Sequence, residues 1–299
     1  MTATPAPAHP TGAALWIAGA RPRTLGAAVA PVIVGTCAAV PDADGVIWWR
    51  AALALLVALA LQVGVNYAND YSDGVRGTDR DRAGPLRLTA SGLASPAAVR
   101  TAAVLAFGVA AVAGLVLALV VEPWLLALGA ASIAAAALYT GGPRPYGYLG
   151  LGELMVLAFF GFAATVGSAY VQLERVPGAA WWGSLAVGLL ACAILLANNV
   201  RDVPSDTVAG KRTLAVRVGA PAARRLFAAC YAGAFGAVVA IAITQPWALL
   251  ALAALPLAIA PVRLVLTRTD PPSLIAALVA TSRLEVVVAV LLGAGLCLS

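Results

Sequence analysis

The stretch from Asn66 to Arg87, NYANDYSDGVRGTDRDRAGPLR, decides how this chain is read. It holds four of the nine aspartates and directly follows a long apolar run, so carboxylates stand where a hydrophobic segment ends. A second stretch of the same kind, Asn198 to Arg217 (NNVRDVPSDTVAGKRTLAVR), follows another apolar run much later in the chain. The two are expected to be halves of one site.

The rest of the chain supplies the setting. Of 299 residues 62% are hydrophobic and 11% charged, more apolar surface than one soluble core can hide. The composition predicts an all-α polytopic membrane protein. Ala13 to Ala20 forms a short apolar stretch that stops at Arg21-Pro22-Arg23, as an interfacial helix leading into a first span, Leu25 to Val40. Further spans are expected at Ile47 to Ala68, Ala97 to Val121, Trp124 to Tyr139, Leu149 to Val171, Trp181 to Asn198, Ala223 to Ile243, Trp247 to Leu266 and Leu274 to Leu296, nine transmembrane helices in all. Two of these spans, four apart, end in Asn-containing turns with carboxylates at helical spacing. This weak repeat suggests two four-helix pseudo-repeats plus one helix around a central cavity. Residues 1–12, rich in Pro, Ala and Thr, read as a disordered cytoplasmic tail, and 13–299 as a single intramembrane domain.

The net charge of +6 could suggest nucleic acid, but 17 of the 19 basic residues fall on the loops of one membrane face; Arg50 and Arg175 are the exceptions. That is an orientation signal and not a nucleic-acid footprint. It places the N-terminus and both aspartate stretches on the cytoplasmic side and the C-terminus outside. The scarcity of lysine beside abundant Ala and Arg points to a bacterial plasma membrane. His9, the one histidine, lies in the tail, which removes histidine base catalysis and histidine metal ligation. The four cysteines lie in or at the ends of apolar segments and read as small buried hydrophobes.

If the second span continues helically, Asn66, Asn69, Asp70 and Asp73 converge on one face. Asn199, Asp202 and Asp206 form a similar stripe later. Hard oxygen donors of this kind suit Mg2+, which takes one or two protein carboxylates and completes its shell with water and phosphate oxygens. Two clusters predict two ions, whose charge offsets the cost of acids at membrane depth. Nearby basic residues suited to a phosphorylated ligand are Arg21, Arg23, Arg76, Arg87, Arg144, Arg201, Lys211 and Arg212. Lys211, the only lysine, is placed for a phosphate contact. In the loop LYTGGPRPYGYLGLGE, Leu138 to Glu153, Arg144 and Tyr139 are candidates for the phosphates and Tyr146 and Tyr148 for stacking on ligand, although an interfacial aromatic belt accounts equally for the tyrosines. Glu153 and Glu285 are acids within spans, functional candidates or partners of a neighbouring helix.

These residues resemble the UbiA-type intramembrane aromatic prenyltransferases, and within them the branch that prenylates 1,4-dihydroxy-2-naphthoate in menaquinone biosynthesis. The family's first motif matches Asn69, Asp70 and Asp73, and its second, Asp-x-x-x-Asp, matches Asp202 and Asp206. GTDRDRAGPLRLTASG, RPYGYLGLGE and NNVRDVPSDTVAGKRTLAVRVG carry the likeness to the menaquinone branch. Where many members place a third Asp this chain has Gly77, and Asp79 or Asp81 would take that role. The resemblance implies a polyprenyl diphosphate donor, whose diphosphate is held by two Mg2+ ions on the aspartates. It also implies transfer of the prenyl group to dihydroxynaphthoate with loss of diphosphate and CO2, giving demethylmenaquinone. Asn66, Asp79, Tyr146, Asn199 and Arg201 are candidate substrate contacts, and Arg23, Tyr139, Arg144 and Lys211 candidate diphosphate contacts. Rival readings are an acceptor such as 4-hydroxybenzoate, a CDP-alcohol phosphotransferase, whose later acids would lie a short way downstream, and a cation-coupled transporter, which would need access from both membrane faces.

Overall fold

A backbone crossing hydrocarbon finds no water to bond, so an apolar run of span length must close its hydrogen bonds as a helix or within a closed barrel. The computed structural model, which describes residues 10–78 and 86–299, does so with helices; among the described residues there is no strand. Residues 1–9 of the expected tail, and Asp79 and Asp81, lie outside the described residues.

In chain order the principal helices are α1 (Gly12–Ala20), α2 (Gly26–Ala39), α3 (Trp48–Arg76), α4 (Pro96–Val120), α5 (Leu125–Leu138), α6 (Gly152–Leu173), α7 (Gly178–Val208), α8 (Leu214–Val218), α9 (Ala220–Ala242), α10 (Pro246–Thr267) and α11 (Pro271–Cys297). Among the described residues seven, α3, α4, α6, α7, α9, α10 and α11, are long and apolar enough to cross a bilayer. The segments Gly12–Thr24 and Gly26–Asp42, which contain α1 and α2, meet at a bend of 54° and together make an eighth candidate. Of the nine expected spans, these helices account for seven, or eight with the bent pair. The shortfall is α5, whose 14 residues extend about 21 Å at 1.5 Å per residue, short of a hydrocarbon core of about 30 Å.

Two helices outrun their expected ends. α3 continues from Ala68 to Arg76 and α7 from Asn198 to Val208, carrying both polar stretches in helical form. α7 is the central post, with 67% of its apolar window buried against 22% for α10 and 28% for α4. The most extensive helix contacts are α3 with α4 and α7 with α9.

Small residues let the inner helices approach closely, as expected where lipid removes the hydrophobic drive for association. Leu157–Ala163 widens α6 into a π-helical segment, and Gly161 within it faces Gly188 of α7. A Cβ on Gly188 would lie 2.7 Å from the Gly161 Cα. Likewise, a Cβ on Gly35 of α2 would lie 2.1 Å from the Thr165 carbonyl oxygen of α6.

The end of the bundle opposite the polar stretches is marked by tryptophans. Trp48, Trp49, Trp124, Trp181, Trp182 and Trp247 are all exposed at or beside helix starts there, as interfacial anchors should be. Arg50 and Arg175, the two basic residues on this end, are paired with acids: Arg50 with Glu174 at 3.4 Å and Arg175 with Asp42 at 3.3 Å.

Overpacking the α2–α6 contact should weaken the bundle. Gly35→Val is expected to lower the thermal midpoint of the detergent-solubilised protein, by the equivalent of about 1–3 kcal/mol. Gly236→Ala, in α9 with nothing near its Cβ direction, should leave the midpoint unchanged or slightly raised. A differential scanning measurement on the two variants checks this.

Candidate active site

Between α2, α3, α5, α6, α7 and α11 lies a cavity of about 900 Å3. Its lining on α3 runs from Ala54 to Asp73, a rise of about 28 Å along the helix. The deep part is walled by side chains such as Val57, Leu61, Leu117, Leu128 and Phe159, while Asn69, Asp73, Arg201, Asp206 and Lys211 gather at its head.

Asp73 is the centre of that head. Its Oδ2 accepts from Lys211 Nζ at 2.9 Å and its Oδ1 from the Tyr148 hydroxyl at 2.7 Å. The ion pair is almost fully buried, with side chains 7% and 4% exposed, and the ammonium lies 4.8 Å above the Tyr148 ring. Burial first, and then the neighbouring Asp73 charge, push the Tyr148 phenol above its ordinary value, so it remains a donor at neutral pH. Thus α3, the loop after α5 and the turn after α7 meet on one carboxylate. Gly210, with φ of 73°, makes the turn that carries Lys211 back toward α3.

The two stripes were expected to offer two carboxylates each, but each gives the cavity one. Asp73 and Asp206 line it; Asp70 and Asp202 do not. Both oxygens of Asp70 accept backbone N–H groups, from Leu88 and Thr89, each at 2.8 Å. That bond seats the turn LTASG against α3, and Gly74 makes room for it: a Cβ there would meet the Thr89 side chain at 2.6 Å. Leu86 and Arg87, just before this turn, line the cavity. Asp202 is gripped through both oxygens by Arg201, at 2.7 Å for each bond, while Arg201 also donates to Asn198. Among the described residues no group of three or more His, Cys, Asp and Glu side chains is placed to hold a metal.

Of the other expected residues, Asn66, Asn69, Tyr139, Tyr146, Asn199 and Arg201 line the cavity, as does Arg23 at its rim. Arg144 is exposed and does not. Asn69 Oδ1 accepts from the Thr140 hydroxyl at 2.7 Å, and Arg76 reaches the carbonyls of Thr140 and Gly142, so Arg76 secures the loop. Burial raises the Tyr146 phenol to about 12; its hydroxyl donates to the Ala135 carbonyl, and its ring lies 5.5 Å from that of Tyr139.

Sequence reading missed Thr140 and the two backbone N–H groups that hold Asp70. Thr140 carries no charge and stands next to a more conspicuous tyrosine. The turn formers of LTASG were the available signal for exposed N–H groups. Glu285, fully buried in α11, has no hydrogen-bond partner among the described residues on either carboxyl oxygen and does not line the cavity.

Known proteins share this helical fold. A sequence model of the UbiA prenyltransferase family matches residues 28–297. The 1,4-dihydroxy-2-naphthoate octaprenyltransferase of Mycobacterium tuberculosis is 52% identical over 246 residues, 82% of this chain and 84% of that one. The Escherichia coli protein of the same name is 39% identical over 273 residues, 86% of each chain. The solved apo structure of a UbiA homolog from Aeropyrum pernix K1 has a TM-score of 0.67 at 16% identity, covering 91% of this chain and 97% of that one. A UbiA homolog from Archaeoglobus fulgidus, solved bound to GPP and Mg2+, gives 0.61 at 15% identity, covering 93% and 99%. The solved structures speak for the fold alone, but with the family match running almost the length of the chain they agree on one conclusion: this multi-pass membrane protein belongs to the UbiA prenyltransferase family.

Proposed function

We propose that this protein joins a polyprenyl diphosphate to 1,4-dihydroxy-2-naphthoate in a bacterial plasma membrane, with loss of diphosphate and CO2, on the way to demethylmenaquinone. The observation that carries this reading is the 2.9 Å contact between Lys211 and Asp73, which joins the two polar stretches at the head of an apolar cavity. The dihydroxynaphthoate octaprenyltransferases at 52% and 39% identity support the choice of acceptor.

In this reading residues 13–299 act as one unit of nine helices, in which the bent α1–α2 pair and the short α5 complete the wall. The polar end faces the cytoplasm and the C-terminus lies outside, in keeping with the basic residues crowded at that end and the paired Arg50 and Arg175 at the other.

The donor set at the head fits Mg2+. Asp73 and Asp206 are buried carboxylates and Asn69 offers a carboxamide oxygen, leaving the remaining positions of an octahedron to water and phosphate oxygens. Two such ions would be held one on each stretch, by Asn69 with Asp73 and by Asp206, and would supply Lewis acidity and charge neutralisation for the departing diphosphate. The A. fulgidus homolog solved with GPP and Mg2+ supports this use of the site. Asp70 and Asp202 then act by holding the Leu88–Thr89 turn and Arg201 in place.

When the diphosphate enters, the Lys211 ammonium exchanges Asp73 for a phosphate oxygen as its partner, and Arg23 and Arg201 add positive potential. The C1–O bond of the donor breaks and diphosphate leaves; the electron-rich ring carbon that bears the carboxyl attacks C1, and its bond to the carboxyl then breaks, releasing CO2, with the carboxyl proton balanced by the departing diphosphate. Apolar walls below the head keep water from the allylic cation, and the Tyr139 and Tyr146 rings, which line the cavity 5.5 Å apart, would stabilise its charge.

Purified protein given polyprenyl diphosphate, Mg2+ and a panel of aromatic acceptors should release the prenylated naphthoquinol from dihydroxynaphthoate, which air oxidises to the quinone; preferential prenylation of 4-hydroxybenzoate would overturn the choice. Asp73→Ala and Asp206→Ala should each lower kcat by at least about 100-fold with the thermal midpoint still cooperative; an unchanged rate would remove that residue from the site. Lys211→Met should raise the KM for the prenyl diphosphate about tenfold or more, as expected for loss of a charge-assisted bond. It should also destabilise the ligand-free protein by about 3–5 kcal/mol, because Asp73 stays buried without its partner. That loss should shrink when Mg2+ and donor are present.

A further inference from the structure

Asn66 and Asn199 hold their amino groups away from the cavity that both line. Asn66 Nδ2 donates to the Ala20 carbonyl at 2.9 Å, and Asn199 Nδ2 donates to Glu153 Oε1 at 2.9 Å. A carbonyl and a carboxylate accept and do not donate, so each carboxamide turns its oxygen the other way. Both residues line the cavity, and neither oxygen is among the enclosed polar atoms left without a hydrogen bond. Asn66 stands seven residues before Asp73, and Asn199 seven before Asp206. Each is therefore about 10 Å further along its helix toward the apolar part. If the acids and Lys211 take the diphosphate, as proposed above, the two carboxamides stand on the apolar side of it, the side on which the prenyl chain and the acceptor ring have to be accommodated.

Glu153 stands behind this level. It is buried and does not line the cavity; its backbone carbonyl accepts the Cys192 thiol at 3.2 Å, and its second carboxyl oxygen is enclosed without a partner. An apolar side chain would fill this place without burying an acid at membrane depth. What the carboxyl contributes is the bond that fixes Asn199.

We propose that Glu153 is a positioning residue for the aromatic acceptor: it sets the Asn199 carboxamide so that its oxygen, together with that of Asn66, accepts the hydroxyl hydrogens of a dihydroxy-aromatic ring. This rests on the prenyltransferase reading and adds an acceptor subsite to it. The subsite selects phenolic donors and leaves the prenyl diphosphate untouched.

The test uses the full chain in lipid nanodiscs with dihydroxynaphthoate and polyprenyl diphosphate. Glu153→Met should raise the KM for the acceptor about tenfold, because Asn199 loses the partner that sets its oxygen and with it about one hydrogen bond to the acceptor, with the KM for the donor within about twofold. Glu153→Gln, which keeps an accepting oxygen toward Asn199, should stay within about threefold of the unmutated protein for both. Should the Met variant fail to fold, a second pair decides. Asn199→Asp sets two carboxylates face to face, and adding Glu153→Gln restores a donor between them, so the double variant should recover at least about tenfold in acceptor kcat/KM over the single one. An unchanged acceptor KM in the Met variant, a parallel rise for both substrates, or a double variant no better than Asn199→Asp would overturn the proposal alone. Failure of the unmutated protein to prenylate dihydroxynaphthoate would overturn the reaction and this subsite together.

Discussion

The Lys211–Asp73 ion pair, closed at 2.9 Å between residues 138 positions apart, is the contact on which the rest of the site depends. A carboxylate this deeply buried is costly unless paired and hydrogen-bonded, and Asp73 is both, through Lys211 and Tyr148. The pair ties the end of α3 to the turn after α7, while Tyr148 brings in the loop after α5. Three segments far apart in sequence are thereby fixed round one small volume at the end of a hydrophobic bundle. The same contact is the one a diphosphate can replace, since a phosphate oxygen offers Lys211 what Asp73 offers it in the ligand-free protein. In the proposed reading, stability of the fold and affinity for the donor draw on the same ammonium.

Around this pair the acids divide between two tasks. Asp73 and Asp206 face the cavity, whereas Asp70 and Asp202 are fully engaged by protein donors. The second pair makes the first usable: Asp70 holds the turn that brings Leu86 and Arg87 to the cavity, and Asp202 aligns Arg201 on its wall. Below the head the lining becomes aliphatic and aromatic over most of the membrane's depth, which suits a long prenyl chain and excludes water from its reacting end.

Much of this was legible in the sequence because membrane proteins obey few and strong rules. Apolar length gave the spans, and helical spacing of Asn and Asp gave the two stripes. The distribution of Arg and Lys separated the ends of the bundle. What failed did so for physical reasons. α5 reads as a span by hydropathy, but Gly and Pro after Thr140 end it at 14 residues. Periodicity placed Asp70 and Asp202 with their stripes, yet it says nothing about what a neighbouring loop presents to a carboxylate. The N–H groups of Leu88 and Thr89 carry no side-chain signature, and Arg201 could as readily have faced a ligand as its neighbour Asp202. Arg144 looked like a phosphate contact from its loop, and only the three-dimensional course of that loop turns it outward.

The central claim is that the two polar stretches grip one diphosphate through divalent ions, with Lys211 leaving Asp73 to do so. Its most direct test is a structure of the protein soaked with Mn2+ and a non-reactive prenyl thiodiphosphate, read by anomalous scattering. The account predicts metal density at both Asp73 and Asp206, a diphosphate between them, and the Lys211 ammonium on a phosphate oxygen. Metal held by one stretch alone, or Lys211 still closed on Asp73 with the analogue bound elsewhere, would contradict it.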